Sequence, residues 1–323
     1  MKTNLILDEI NNTPVVKLKS ISKQTGRHVY VKLEGANPAG SMKDRVALYV
    51  INEAERKNQL RPGDTIVEST SGSMGAALAM VGKQKGYSII CVVDPKLTKT
   101  NEILIKSFGA KVVKVKESDE NGNYLSTRIN TVKKLINNHS NYWWFNQYQN
   151  PDVPLTHYNC TAKEIDETFE GGLDWIICPV GTGGLIAGIA KYFKEKKPNT
   201  KIMAVDALGS VVLGGKPAPR YQVGIGSNQK SSFINLKDID AITHVSDNDA
   251  FEKVHFLAKE ESLFCGCSTG STLAGFINKI EITNFEDKVL IISPDNGFKY
   301  IDTIFDSKWI DEKLSNYKTQ FAA

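Results

Sequence analysis

Asn37-Pro38-Ala39-Gly40-Ser41-Met42-Lys43-Asp44-Arg45 sets a lysine just after a turn, and a strand-like run, Thr65-Ile66-Val67-Glu68, then leads into a second polar turn, Ser69-Thr70-Ser71-Gly72-Ser73-Met74-Gly75. A lone lysine near a turn is ordinarily a solvated surface cation. A lysine that works as a Schiff-base amine must shed its proton, and burial beside a phosphate-carrying group helps it do so. The rest of the chain decides between these two readings.

Working outward, short β-branched runs alternate with amphipathic segments. Strands are predicted over 28–33, 65–68, 88–93, 111–115, 175–178, 202–205 and 289–292, and helices over 44–58, 75–85, 101–108, 184–194 and 270–280. This alternation predicts parallel, doubly wound α/β layers. No repeat of solenoid period and no low-complexity segment interrupts it. Asp119-Glu120-Asn121-Gly122-Asn123 and Gly214-Gly215-Lys216-Pro217-Ala218-Pro219 read as turns or exposed loops.

The chain has 323 residues and 41% hydrophobic content, enough for a sizeable core. At ~150 residues per domain it holds two domains. Lys plus Arg is 40 against 36 acids, a net charge of +4. That excess is too small to argue for nucleic acid, and no dense basic run is interleaved with aromatics. Lys194-Glu195-Lys196-Lys197 reads as a solvated helix end. The first residues, 1–7, lack a signal-peptide core, and no run approaches ~18 apolar residues. A soluble, cytoplasmic protein with no membrane partner is expected. The five cysteines, Cys91, Cys160, Cys178, Cys265 and Cys267, are odd in number and dispersed, which argues against a disulfide framework. Cys265-x-Cys267 has no second pair with which to build a zinc site, so no metal is expected. Cys91 and Cys178 lie in apolar strand-like runs and read as small buried hydrophobes.

Two further turns carry chemistry. Pro179-Val180-Gly181-Thr182-Gly183-Gly184-Leu185-Ile186 follows an apolar strand and opens a helix, where glycines let backbone N–H groups crowd an anion and the helix dipole assists. The spacing does not fit a Walker loop. A dinucleotide fingerprint would need an acid at the end of the next strand, and Asp206 stands there, so that rival survives at this point. Phe264-Cys265-Gly266-Cys267-Ser268-Thr269-Gly270-Ser271 reads as another strand end turning into a helix. Ser268 or Thr269 there reads from the residues as an N-cap.

In order and spacing, the lysine stretch, the Thr-Ser-Gly loop, the glycine-rich turn and the late serine resemble the fold-type II pyridoxal-phosphate (PLP) enzymes, the cysteine synthase and cystathionine β-synthase family. Gln147-Tyr148-Gln149-Asn150-Pro151 with His157-Tyr158, Gly214-Gly215-Lys216-Pro217…Gly224-Ile225-Gly226 and Ser293-Pro294-Asp295 extend the likeness from about Asn11 to Tyr300. The resemblance implies two doubly wound α/β domains with the cofactor in the cleft between them. Residues 1–36 plus 147–323 would form the larger, phosphate-binding domain, and 37–146 the smaller, mobile one.

The resemblance also implies roles. Lys43 would hold PLP as an internal aldimine and act as general base in β-replacement through an α-aminoacrylate. Gly181, Thr182, Gly183, Gly184 and Leu185 would bind the phosphate. Ser268 would meet the pyridine nitrogen and leave it largely unprotonated, which disfavours transamination. Thr70, Ser71 and the Ser73–Met74 turn would hold the substrate carboxylate, helped by Gln147, and Gly224 and Ile225 would line a closing entrance. Arg128 and Arg220 are candidate partners for an anionic substrate group, each weighed against a plain surface arginine. The loop departs from the family's usual Thr-Ser-Gly-Asn-x-Gly. Ser73 stands where an asparagine normally bonds the 3′-oxygen of PLP, and Met74 makes the pocket more apolar.

Among family members, Val205-Asp206-Ala207-Leu208-Gly209-Ser210-Val211, Glu68-Ser69-Thr70-Ser71-Gly72 and Pro294-Asp295-x-Gly297 look closest to the siderophore-pathway enzymes that join O-phosphoserine to glutamate. The product there is N-(2-amino-2-carboxyethyl)-L-glutamate, a 2,3-diaminopropionate precursor. Against that, Gly181-Thr182-Gly183-Gly184 looks like a cysteine synthase turn. The alternatives are a cysteine synthase, a cystathionine β-synthase-like or hydrogen-sulfide-releasing enzyme, and a catalytically silent regulatory module. A homodimer acting on small amino acids is the implied assembly.

Overall fold

The structure, a computed structural model, describes residues 4–120, 122 and 124–320, and the backbone alone for 315–320. Asn121 and Asn123 of the predicted 119–123 loop lie outside the described residues. The strands are β1 (Val15–Lys17), β2 (His28–Leu33), β3 (Thr65–Ser69), β4 (Ser88–Val93), β5 (Lys111–Lys114), β6 (Tyr142–Trp144), β7 (Trp175–Pro179), β8 (Lys201–Ala207), β9 (Ala241–Val245) and β10 (Lys288–Ser293). The helices are α1 (Lys19–Thr25), α2 (Lys43–Arg56), α3 (Ser73–Gln84), α4 (Lys99–Ser107), α5 (Tyr124–Asn137), α6 (Asp152–Thr156), α7 (Ala162–Thr168), α8 (Gly184–Lys196), α9 (Asp247–Glu261), α10 (Cys267–Asn278) and α11 (Ser307–Gln320).

Two sheets result. One runs β1-β2-β10-β7-β8-β9 and is parallel except for the antiparallel edge strand β1. The other runs β5-β4-β3-β6 and is wholly parallel. Every residue of β3 and β7 is buried. Strands covered by helices on both faces favour side chains that are apolar on both faces, and this is why β7 reads as a continuous run, whereas β3 buries the polar Glu68 and Ser69 toward its end. The seven strands and five helices predicted by residue range are all present, with ends shifted by no more than three residues. β1 and β6 escaped prediction because three residues carry too little pattern, and β9 because its Thr243-His244 pair breaks the apolar run.

The strand predicted ahead of Ser268 is absent. Helix α9 ends at Glu261, and Cys265 makes only an isolated bridge to Asn296. Nor do Ser268 and Thr269 cap α10, whose N-cap is Gly266 without a side-chain hydrogen bond. Helices α3 and α10 are buried nearly all round, through Met74–Gly82 and Cys267–Phe276. Their small residues (Gly, Ala, Ser, Thr) allow that close approach, and their first turns therefore sit inside the molecule. Among the described residues no helix is long and apolar enough to cross a membrane.

Helix α2 is moored to the six-stranded sheet by charge. Arg45 Nε lies 2.6 Å from Glu34 Oε2, Arg45 also pairs with Glu164, and Lys32 Nζ reaches Glu164 at 2.9 Å. Burial works against the Glu164 carboxylate, yet Arg45 and Lys32 hold it down at about 2. Removing one member of such a buried set strands the others without a counter-charge, so the cluster holds its geometry. That geometry sets the position of Lys43, two residues earlier on the same helix.

Candidate active site

Lys43 is the first residue of α2, and its backbone is fixed from both sides. Met42 N–H donates to Pro294 O at 2.8 Å, and Ser41 bridges Asp295. The side chain is half-buried by surface area but hemmed in by protein. Burial is the main cause that lowers its amine to about 8, with Asp295 opposing and Lys299 adding to the shift. An amine at that value is partly neutral near pH 7 to 8, as a nucleophile or proton carrier requires.

The glycine-rich turn closes β7 onto α8. Gly183 is the N-cap at φ +92°, and a methyl group on it would lie 2.2 Å from Ser231 Oγ. Only glycine meets both conditions. Ser231 in turn donates to Thr182 O at 2.7 Å, so a residue outside the predicted set braces the turn. Gly226 N–H donates to Val180 O at 2.7 Å, which ties the 224–226 loop to the same turn. Ile225 is buried in the apolar core of the six-stranded sheet, so it does not line an entrance. Gly224 does face the site: a methyl there would stand 3.9 Å from Ser268 Oγ and 3.5 Å from Tyr300 Oη. Ser268 itself is fully buried in the first turn of α10.

The second turn closes β3 onto α3. Thr70 Oγ1 accepts from the N–H groups of Gly72 and Gly75, both at 3.1 Å. Ala76 N–H goes to Gly72 O, which leaves the N–H groups of Ser73 and Met74 at the open helix start, where an anion is welcome. Ser71 is exposed, Ser73 half-buried and Met74 buried. Gln147 is buried, and its amide already donates to Ser69 O at 2.8 Å and Glu68 Oε1 at 3.2 Å, so in this state it braces the loop from beneath.

The two arginines resolve differently. Arg128 is buried beneath the second turn, with Nε 3.2 Å from Asp94 Oδ2, and the plain surface reading is wrong for it. The guanidinium also interacts with Tyr148, and its Nη1 has no hydrogen-bond partner among the described residues. Arg220 uses Nη1 on Gly209 O at 3.1 Å and on Asn228 Oδ1 at 2.9 Å, bracing its own loop. Asp206 is buried and accepts from Ala207 N–H at 2.8 Å, so it is not presented to a ribose.

Sequence reasoning missed a charged cluster beside Lys43. Asp295 accepts from Tyr300 Oη at 2.6 Å, and its other oxygen has no partner. Lys299, only 4% exposed, reaches Ser73 Oγ at 3.3 Å. Burial raises the Asp295 carboxyl and lowers the Lys299 amine, and each opposes the other's shift. Glu68 is likewise pushed up to about 8, first by burial. The signal for Lys299 was faint, since an Asp and a Lys four residues apart in a loop are usually solvated.

These parts suit pyridoxal phosphate. The α8 start with its left-handed glycine offers N–H donors to a phosphate, Lys43 offers an amine with a lowered proton affinity, and buried Ser268 offers a neutral partner to a ring nitrogen. The protein-family model described as pyridoxal-phosphate dependent enzyme matches residues 6–295. The fold is shared with O-ureido-L-serine synthase, at a TM-score of 0.87 and 31% identity over 98% of this chain and all of that one. A hydrogen sulfide-producing enzyme from Fusobacterium nucleatum matches at 0.87 and 33% identity, over 93% of this chain and 100% of that one. The O-acetylserine dependent cystathionine β-synthase from Helicobacter pylori matches at 0.88 and 30% identity, over 94% and 98%. The dinucleotide rival and the catalytically silent module fall with these matches, and the chain belongs to the pyridoxal-phosphate dependent enzymes, as one of the cysteine synthase-like type.

Proposed function

We propose that the protein replaces the β-substituent of an activated serine, with O-phosphoserine as donor and glutamate as nucleophile, giving N-(2-amino-2-carboxyethyl)-L-glutamate. The observation that carries the choice of nucleophile is Arg128. Its Nε is paired with Asp94 while its Nη1 has no hydrogen-bond partner among the described residues, so the buried guanidinium keeps a donor for a second anion beside the strand that feeds Thr70–Gly75. A dicarboxylic nucleophile supplies one, and sulfide does not.

In this reading, PLP supplies the electron sink for bond cleavage at the α- and β-carbons. Lys43 holds the cofactor and, when released, carries the α-proton between the substrate and itself. The backbone of Gly181, Thr182, Gly183, Gly184 and Leu185 binds the phosphate, and Ser268 faces the ring nitrogen. The open N–H groups of Ser73 and Met74, with the hydroxyls of Thr70 and Ser71, orient the substrate carboxylate. Gln147 supports that loop through Glu68 and Ser69, and Gly224 borders the ring. Arg220 stiffens the neighbouring loop. The homodimer is part of the proposal, and light scattering on purified holoenzyme reads it.

A sulfur nucleophile is the second reading, favoured by the small, uncharged Gly181-Thr182-Gly183-Gly184 turn and the apolar Met74. Mass spectrometry of products from purified holoenzyme separates the two. O-phosphoserine with glutamate yielding the coupled diacid supports the first, and cysteine from O-acetylserine and sulfide, with no coupling to glutamate, overturns it. Arg128→Met reads the anion site: the KM for glutamate rises by about 10-fold or more, while that for O-phosphoserine moves less.

A further inference from the structure

Ser73 occupies the first position of α3, where a helix start presents N–H groups and few acceptors. Lys299 Nζ lies 3.3 Å from its oxygen. An ammonium group has donors only, so Ser73 must accept this bond, and its own proton is left to give elsewhere.

The position of Lys299 is built. Its stem packs beside Gly40, in the stretch that leads to Lys43, where a methyl group would sit in ordinary contact at 3.5 Å from Cε. Two carboxylates face it from different elements, Asp295 ahead of the 297–300 turn and Asp44 on α2, and each has one oxygen without a hydrogen-bond partner. Lys43 shares the cluster from α2, Tyr300 enters it through Asp295, and Glu34 acts on Asp44 from behind. A buried cation with this surround is held in one place.

We propose that Lys299 is a positioning residue that turns Ser73 into the hydrogen-bond donor for the 3′-oxygen of the bound cofactor, replacing the asparagine of the family's usual loop. The proposal rests on Lys43 being the cofactor-bearing lysine. With Lys299 donating to its oxygen, the shorter serine is polarised and its proton is aimed away from the lysine. Both effects favour the anionic form of the 3′-oxygen and so lower the pH at which the cofactor–lysine bond loses its proton.

The test is the visible absorption of the holoenzyme, titrated from about pH 6 to about pH 10. Ser73→Ala and Lys299→Met are each expected to raise the midpoint by about one pH unit. The double variant is expected to move no further than either alone, and Lys299→Arg to restore the wild-type midpoint. Superimposable titrations of wild type and Lys299→Met, including a band that moves in neither, overturn the proposal. Additive shifts in the double variant also overturn it, because Lys299 then acts as a distant charge and not through Ser73. If Lys299→Met fails to fold by circular dichroism, Lys299→Ala replaces it, and an unshifted Ser73→Ala is decisive by itself. Lys43→Ala separates the levels: a retained covalent band there defeats the reading of Lys43, whereas its loss beside an unmoved Lys299→Met defeats this inference alone.

Discussion

The two strand-to-helix turns perform similar tasks by different physics. At β7–α8, an N-cap glycine with φ +92° is walled in by Ser231 and Ile234, both neutral. At β3–α3, an N-cap glycine with φ +149° packs against Asn101, and ionisable groups crowd beneath and beside it: Glu68, Arg128 and Lys299. The first turn is shaped by sterics and backbone dipoles, which are the same at every pH. The second is held by buried charges, whose balance shifts with pH and with whatever anion arrives. A cofactor that stays bound suits the first kind of cradle, and a substrate that comes and goes suits the second.

The largest expected effect breaks both turns from the middle. Lys43→Ala is expected to cut turnover by about 1000-fold or more, read in a steady-state product assay. Next, Gly183→Ala adds a side chain in a left-handed conformation against Ser231, and cofactor affinity is expected to fall about 10- to 100-fold by absorbance titration. Gly72→Ala is the matched control in the other turn. Its added methyl meets Asn101 Nδ2 at 2.7 Å, and KM for the amino acid is expected to rise while cofactor affinity holds. If Gly72→Ala releases the cofactor instead, the division of labour between the turns is wrong.

Glu68 sharpens the contrast through pH. Burial raises its carboxyl from 4.5 to about 8, so across that window the native protein keeps a proton that the unfolded chain gives up. Stability therefore falls as pH rises between these values and levels off above about 8. Glu68→Gln removes that slope, and urea unfolding of the variant is expected to match wild type near pH 5 and exceed it by up to a few kcal/mol at pH 8. The smallest effect belongs to cofactor uptake. Because the apoprotein's Lys43 amine titrates at about 8, the rate of colour return after adding PLP is expected to rise from neutral pH and flatten above that value. A rate that is flat from pH 6 upward contradicts the lowered amine.

How much of this was legible in the sequence depends on the range of the interaction. β4 was predicted to its end residues because burial of a strand on both faces writes itself as an unbroken apolar run, and β2 because its β-branched and aromatic residues alternate with half-buried ones. The glycine-rich turn was legible because backbone geometry demands particular residues at particular spacings. Arg128 was legible only as a candidate anion partner weighed against a plain surface arginine, and the fold decides by burying it against Asp94 at the end of β4. The strand expected before Ser268 failed because Phe264 packs as part of a loop against Phe298 and Phe305, with no partner strand beside it.

From residues alone came the alternating α/β plan, and from the resemblance came the choice of Lys43 and the order of the two turns, because each rests on periodicity, turn chemistry or a donor's position at a helix start within some ten residues. Tertiary structure alone decided that Lys299 meets Ser73, 226 residues away in the chain. It also decided that Gln147 and Arg128 lie buried beneath the substrate turn and that Ile225 is core. Charge acts through space and burial sets its strength, so groups that read as ordinary surface polarity in one dimension become the tuning of the site once the chain has folded around them.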